Sequence, residues 1–432
     1  MIAAGGGPSD GWRPPLFDTP EDRRLAALAW IAALAASFLL LGVFQFTSGD
    51  PDSNVYAGIS ARLAAEPFVR WIAPEWWGQW DFTGPFREHP IGIFVLPALA
   101  GRLGYPRPQA AYAVNGLFQA ASIVLVQLIA VQLVSRRDAR ALGWIVQLMP
   151  IAFVFRIRAN QEYAVLAGIL LALLATERSR VRPAWAWLTA LGFAWALLVK
   201  GVFGFLVPIA CGVWLVVAEW SDRASAGAGR SGRNDASRRI VPWAALTSVL
   251  LVAPILTVTY EWAYRAASGD SFLAFYTGPR LRPDAVAGGA IDRAGYNIVW
   301  YTARLAWYAF PWSIVALGAF GRWALGARNR RREVVDTSDG RGVRGLVFAV
   351  VASLILIVLF SFSDRKADRF IFPAYYFMAA AGGIVAIRSS PALSRVANRL
   401  DRPWIPAACW MALFLLRLGT GSHLPQFTFW RS

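Results

Sequence analysis

Long apolar stretches recur from near residue 24 to near residue 420, and they limit what the chain can fold into. Leu25–Phe46, Ala110–Val134, Val241–Tyr264 and Leu346–Phe362 are the clearest. A helix that crosses the hydrocarbon core of a bilayer needs roughly 20 such residues. In water the exposed backbone and apolar side chains of so many segments would aggregate. In lipid only helices and closed barrels satisfy their own backbone groups. The runs are continuous and do not alternate with period two, so the expectation is an all-α polytopic membrane protein. The composition agrees: 57% of the 432 residues are hydrophobic and 21 are tryptophan.

The formal net charge of +17 raises the question of nucleic acid. The arginines answer it by position. They gather in Arg136–Arg140, Glu177–Arg182, Ser221–Arg239, Ala327–Arg344 and Arg388–Arg402, short stretches between apolar runs. That is the pattern of positively charged cytoplasmic loops. Placing all five clusters and residues 1–23 in the cytoplasm fixes the topology. The expected spans are 24–46, 110–134, 141–157, 162–178, 184–199, 201–220, 241–264, 298–323, 344–363, 370–388 and 404–420, about eleven in all. The transmembrane domain then covers 24–420, with outer loops at about 47–109 and 265–297 and a tail at 421–432. His89–Gly104 is apolar but short and proline-bearing. Counting it as a span would invert every later loop, so it reads as an interfacial or re-entrant helix. Ala224–Ser237, rich in Gly, Ser and Arg, reads as a flexible linker. The two cysteines, Cys211 and Cys409, fall inside apolar runs and read as packing residues.

The outer boundary collects polar residues. Asp52 or Ser53 is placed to cap a short helix on which Tyr56, Ile59 and Leu63 share a face. Glu88 and His89 precede Pro90; Arg156, Arg158 and Glu162 stand at the junction of two expected spans. Arg280 and Arg282 lie in the second outer loop, and Lys366, Asp368 and Arg369 precede the span that begins at Phe370. Among 43 Lys and Arg residues only Lys200 and Lys366 are lysine, and both fall at this boundary. A flexible ammonium and a planar guanidinium both suit phosphate oxygens. Cations on the face opposite the arginine-rich loops point to a bound anion, and the two lysines are expected to converge on it. No spacing matches a strong metal motif.

These segments resemble, in order, the C-type glycosyltransferase superfamily, in particular the lipid A aminoarabinose transferases and bacterial protein O-mannosyltransferase-like proteins. The matching stretches are Asp52-Ser53-Asn54-Val55-Tyr56-Ala57, Phe86-Arg87-Glu88-His89-Pro90, Arg158-Ala159-Asn160-Gln161-Glu162, Lys200-Gly201, and Lys366-Ala367-Asp368-Arg369-Phe370-Ile371-Phe372-Pro373. His89 stands for the family's common Lys, Glu162 for its Asp and Phe370 for its Tyr. No large soluble C-terminal domain follows, unlike the oligosaccharyltransferase branch. The resemblance implies hexosyl or pentosyl transfer from a polyprenyl-phosphate donor to a lipid, glycan or protein of the envelope, on the periplasmic face of a bacterial inner membrane. Asp52 would be the catalytic carboxylate, with Glu88 a second carboxylate of the site. Tyr56, Arg62, His89, Arg158, Glu162, Lys200, Arg280, Arg282, Lys366 and Arg369 would bind substrate. A monophosphate leaving group held by Lys and Arg requires no metal, whereas a diphosphate donor would call for a divalent cation. The competing reading is a transporter or flippase of a lipid-linked or anionic solute. Such a protein places charges at mid-membrane and often shows an internal repeat; here they gather at one boundary and no repeat is visible.

Overall fold

The computed structural model describes residues 50–77, 83–147, 149–156, 158–226, 237–281, 290–326, 341–363 and 366–400. The expected spans 24–46 and 404–420, Arg282, Cys409 and most of the Ala224–Ser237 linker lie outside these residues, and of Arg280 only the backbone is described. The described residues form α-helices and short 3-10 turns, with one isolated β-bridge between Glu75 and Pro85. Among the described residues five helical segments are long and apolar enough to cross a membrane: Gln109–Ala130, Pro183–Arg223, Ile240–Ser268, Gly342–Ser361 and Asp368–Ser389.

Helix α1 (Pro51–Leu63) and α2 (Gly92–Arg102) are short. With 11 residues, α2 extends about 16 Å, half of what a span requires. It leads through Gly104-Tyr105-Pro106 into α3 (Arg107–Ala130). The expected span 141–157 is instead two pieces, α4 (Arg136–Ile145) and α5 (Pro150–Arg156). Pro150 is the cause: it lacks the N–H that would continue α4 and suits the first position of a new helix.

The centre of the bundle is α6 (Glu162–Ser179), nearly every residue of which is buried. It turns through 180–185 and returns as α7 (Ala186–Lys200), so the start of α6 and the end of α7 lie at one end of the bundle. The two helices approach at Gly168 and Gly192. A Cβ on Gly168 would meet the Gly192 carbonyl oxygen at 2.8 Å, and one on Gly192 would meet the Gly168 carbonyl oxygen at 2.5 Å. Small residues at a crossing let backbones touch and gain dispersion contact where lipid supplies no hydrophobic drive.

After α7 come α8 (Leu206–Ala226), α9 (Ser237–Ser268) and α10 (Phe272–Leu281). Helix α9 exposes Leu250, Leu251, Ile255, Val258 and Trp262, a side chain pattern suited to lipid. The expected span 298–323 is also divided. Helix α11 (Ala290–Tyr308) and α12 (Trp312–Gly326) are separated at Pro311, again a residue that cannot donate to the preceding turn. The chain continues through α13 (Arg341–Ser361), α14 (Phe372–Ser389) and α15 (Pro391–Leu400). Helix α14 is almost wholly buried and joins α6 at the core, where Tyr376 donates to Tyr163 at 2.9 Å.

Candidate functional site

Asp50, not Asp52 or Ser53, caps α1: its carboxylate accepts the Ser53 amide at 3.1 Å. Tyr56, Ile59 and Leu63 are buried on one side of that helix, as the spacing predicts. Because Asp50 takes the cap, Asp52 in the first turn is released for another partner. That partner is Arg369, which donates to it from the 3-10 turn Asp368–Ile371. Arg158 stands 3.5 Å from Asp50. Ser53 ties the segment to the chain around Asn160, accepting from the Ala159 amide at 3.1 Å and donating to Asn160 at 3.0 Å.

Below this surface lies a buried ion pair. Lys200 Nζ is 2.8 Å from Glu162 Oε1, and the two side chains are 4% and 1% exposed. The helix geometry explains the meeting. Glu162 opens α6 and Lys200 closes α7, so the antiparallel packing fixed at Gly168 and Gly192 brings the two tips level. Each charge also sits where the helix dipole favours it, the carboxylate at an N-terminus and the ammonium at a C-terminus. Lys200 further packs over the Phe203 ring, 4.6 Å from its centroid. Tyr276 of α10 braces the turn, since its hydroxyl accepts the Val202 amide at 3.2 Å and donates to the Lys200 carbonyl at 3.4 Å. Gly201 has φ +59° there, and a Cβ would collide with the Tyr276 hydroxyl.

Tyr56 and His89 stand between the upper and lower pairs. Their ring centroids are 6.0 Å apart, and Phe86 and Phe94 enclose them. Burial, with the Asp52 carboxylate beside it, raises the Tyr56 phenol. Burial holds the His89 imidazole well below its ordinary range, and the nearby Lys200 and Arg369 charges push the same way. His89 is therefore neutral at pH 7. Several polar atoms here are buried without a hydrogen-bond partner among the described residues: His89 Nδ1, Asn160 Nδ2 and Glu162 Oε2. Glu88 is half-buried beside them in sequence.

Other expected residues fall elsewhere. Arg62 does not face Asp52; it pairs with Glu66 at 2.8 Å and with Glu75. Ten residues along α1 is nearly three turns, which carries Arg62 to the far tip. The two lysines have different surroundings: Lys200 is buried against Glu162 and Phe203. Lys366 is exposed, its Nζ 4.0 Å over the Tyr296 ring, and Arg369 is the cation that joins the site. Arg156 turns inward, donating to the Gln147 carbonyl at 3.3 Å. Conversely, Arg304 and Tyr308 of α11 belong to this end and were not expected. Arg304 is 3.3 Å from Asp368, and Tyr308 donates to Asp368 at 2.8 Å. Among the described residues no three His, Cys, Asp or Glu side chains group as a metal site would require. A separate cavity of about 60 Å³, lined by Leu133, Leu142, Trp214, Phe348 and Phe377, is apolar and lies towards the other end of the bundle.

No protein-family model matches the chain, and no curated protein matches it in sequence. Solved structures do match in shape. ArnT from Cupriavidus metallidurans bound to undecaprenyl phosphate superposes with a TM-score of 0.58 over 91% of this chain, at 17% identity. Its apo state gives 0.57 over 86%, at 18% identity. The chain has the C-type glycosyltransferase fold. It spans 64% and 62% of the length of those two structures, a little under two-thirds. An oligosaccharyltransferase from Archaeoglobus fulgidus, in complex with zinc and sulfate, aligns over 93% of this chain and 52% of its own, with 15% identity and a TM-score of 0.48. Within the C-type fold, the charged end described above is built from α1, the segment 158–162, the α7 tip, α11 and the turn 368–371.

Proposed function

We propose that this protein is a membrane glycosyltransferase that moves a sugar from a polyprenyl-phosphate donor to an envelope acceptor. The observation that carries the reading is the assembly of Asp52, Arg369, Tyr56, His89, Lys200 and Glu162 at one end of a C-type bundle. These residues come from segments more than 300 positions apart, and a purely structural cluster would not need a partly exposed carboxylate at its mouth. The undecaprenyl phosphate held by one ArnT structure supports a lipid-phosphate donor. The arginine-rich stretches, placed in the cytoplasm, put this end on the periplasmic side of a bacterial inner membrane. The acceptor is a lipid, glycan or protein hydroxyl.

The chemistry follows from charge. As the acceptor oxygen bonds to the anomeric carbon, its proton passes to Asp52. The bond from that carbon to the phosphate oxygen breaks, and both electrons leave with the polyprenyl phosphate. Arg369 at the mouth and Lys200 beneath it supply the positive charge that stabilises the leaving group, in surroundings where water screens little. Neutral His89 and the Tyr56 phenol are hydrogen-bonding groups beside the reacting atoms. Their polar tips suit sugar hydroxyls, and the aromatic wall of Phe86 and Phe94 keeps them in place.

The test is Asp52→Asn in the full chain, reconstituted with a polyprenyl-phosphate sugar. The change keeps size and removes the base. Transfer should fall by about two orders of magnitude or more while the fold survives. Near-normal turnover would remove Asp52 from the catalytic role.

A further inference from the structure

Among the described residues the charged end holds four close pairs: Arg158 with Asp50, Lys200 with Glu162, Arg304 with Asp368 and Arg369 with Asp52. A phosphate that binds Arg369 competes with the carboxylate already on it. The Asp52–Arg369 pair is the most open of the four, with its side chains 37% and 31% exposed.

We propose that Asp52 holds the place on Arg369 that the donor phosphate takes, so that donor binding and the release of Asp52 are a single event. The inference rests on the glycosyltransferase reading and adds the order in which the site becomes competent. Three features of the chain make the exchange local. Asp50 carries the cap of α1, so Asp52 can turn away without unravelling the helix. Asp368, gripped by Arg304 and Tyr308, fixes the turn that carries Arg369, so only the guanidinium needs to change partner. Lys200 stays bound to Glu162 below, and the buried His89 Nδ1 and Asn160 Nδ2 have no hydrogen bond to lose. Asp52, once displaced, faces the acceptor instead of a cation.

The experiment is binding of undecaprenyl phosphate, undecaprenol and inorganic phosphate to the full chain in nanodiscs. The variants are wild type, Asp52→Asn and Asp52→Glu. Removing the competing charge should tighten undecaprenyl phosphate about tenfold in Asp52→Asn, while Asp52→Glu stays near wild type. Undecaprenol should not respond to either change, which separates charge exchange from a simple widening of the mouth. Tightening of inorganic phosphate in step would identify the phosphate group alone as the competitor; no change with it would assign the effect to the lipid-borne phosphate, and either supports the exchange. Equal or weaker binding of undecaprenyl phosphate by Asp52→Asn overturns it, because Asp52 would then be orienting Arg369 and not blocking it. Equal tightening of undecaprenol also overturns it. Absence of binding to wild type would instead defeat the donor assignment itself. Asp52→Ser gives the same comparison should the amide variant fail to fold.

Discussion

Two ends of the same bundle treat buried charge differently. At the end opposite the candidate site, the carboxylate of Glu177 accepts from Trp214 at 2.9 Å, from Arg180 at 3.3 Å and from Arg344. Arg180 also bonds Asp222, and Arg344 lies over the Trp214 ring. One carboxylate there binds α6, α8 and α13 together. At the site end, among the described residues, Glu162 Oε2, His89 Nδ1 and Asn160 Nδ2 are buried without partners. A buried polar group left unpaired costs about 1–3 kcal/mol. Arg344 Nε is also without a partner among these residues, so the two ends differ in their carboxylates: one that gathers donors from three helices reads as a fastening, and one that keeps an open oxygen, as Glu162 does, reads as a place built for something that arrives.

That contrast can be broken by substitution. The largest effect expected is at Glu177. Glu177→Ala leaves Arg344 without its acid and Arg180 with Asp222 alone, and loss of one partner of a buried pair removes about 3–5 kcal/mol. Thermal unfolding in detergent should show the drop, and the affinity for undecaprenyl phosphate of the fraction still folded should not change. A normal melting temperature would mean that this end is no fastening.

Lys200→Met comes next. It strands Glu162, so stability should fall, and it removes a charge from the leaving group, so kcat/KM should fall about a hundredfold. Adding Glu162→Gln should recover stability and leave transfer low. Recovery of both would make the pair structural, like the one at Glu177. Tyr276→Phe is milder. It loses two long hydrogen bonds at the Lys200 turn, worth about 1 kcal/mol together, and should lower kcat a fewfold with little change in KM.

The dependence on pH sharpens the comparison from another side. His89 is neutral in the folded protein and its imidazole is held below the unfolded value of about 6.5. As pH falls through about 6.5 the unfolded chain gains a proton that the folded chain refuses. Stability is complete above that pH and declines below it, by at most about 1.4 kcal/mol per pH unit. His89→Gln should remove this part of the slope between pH 7 and 5; an unchanged slope would place the sensitivity elsewhere. The smallest effect belongs to Lys366. Exposed and seated on Tyr296, it should be replaceable by Ala with no measurable loss of donor affinity.

The sequence carries the periodic and local parts of this architecture well. Spacing of Tyr56, Ile59 and Leu63 shows which side of α1 is buried, and the length of Gly92–Arg102 shows that it does not span. Pro150 and Pro311 also mark the two broken helices, although the apolar runs around them read as continuous. The pairings are another matter. Arg369 meets Asp52 across 317 positions, and nothing local to either residue encodes that contact. Glu162 and Lys200 were both legible as boundary charges. Their union depends on the register of α6 against α7, which two glycines set by letting the backbones touch. Arg304 is hidden for a related reason: within an apolar helix an arginine gives no sign of which carboxylate it will reach.

The register of α6 and α7 has a mechanical meaning. Sliding either helix along the other by one residue would drive a side chain into a carbonyl at Gly168 or Gly192, where even a methyl group does not fit. Lys200 and Glu162 are thus mounted on a stiff hairpin that cannot travel. Under the proposed transfer reaction, rearrangement falls to the Asp52 and Arg369 side chains, which sit on separate segments above this fixed hairpin. On the proposed reaction, an inhibitor that bridges Asp52 and Arg369 would stall transfer without touching the buried pair.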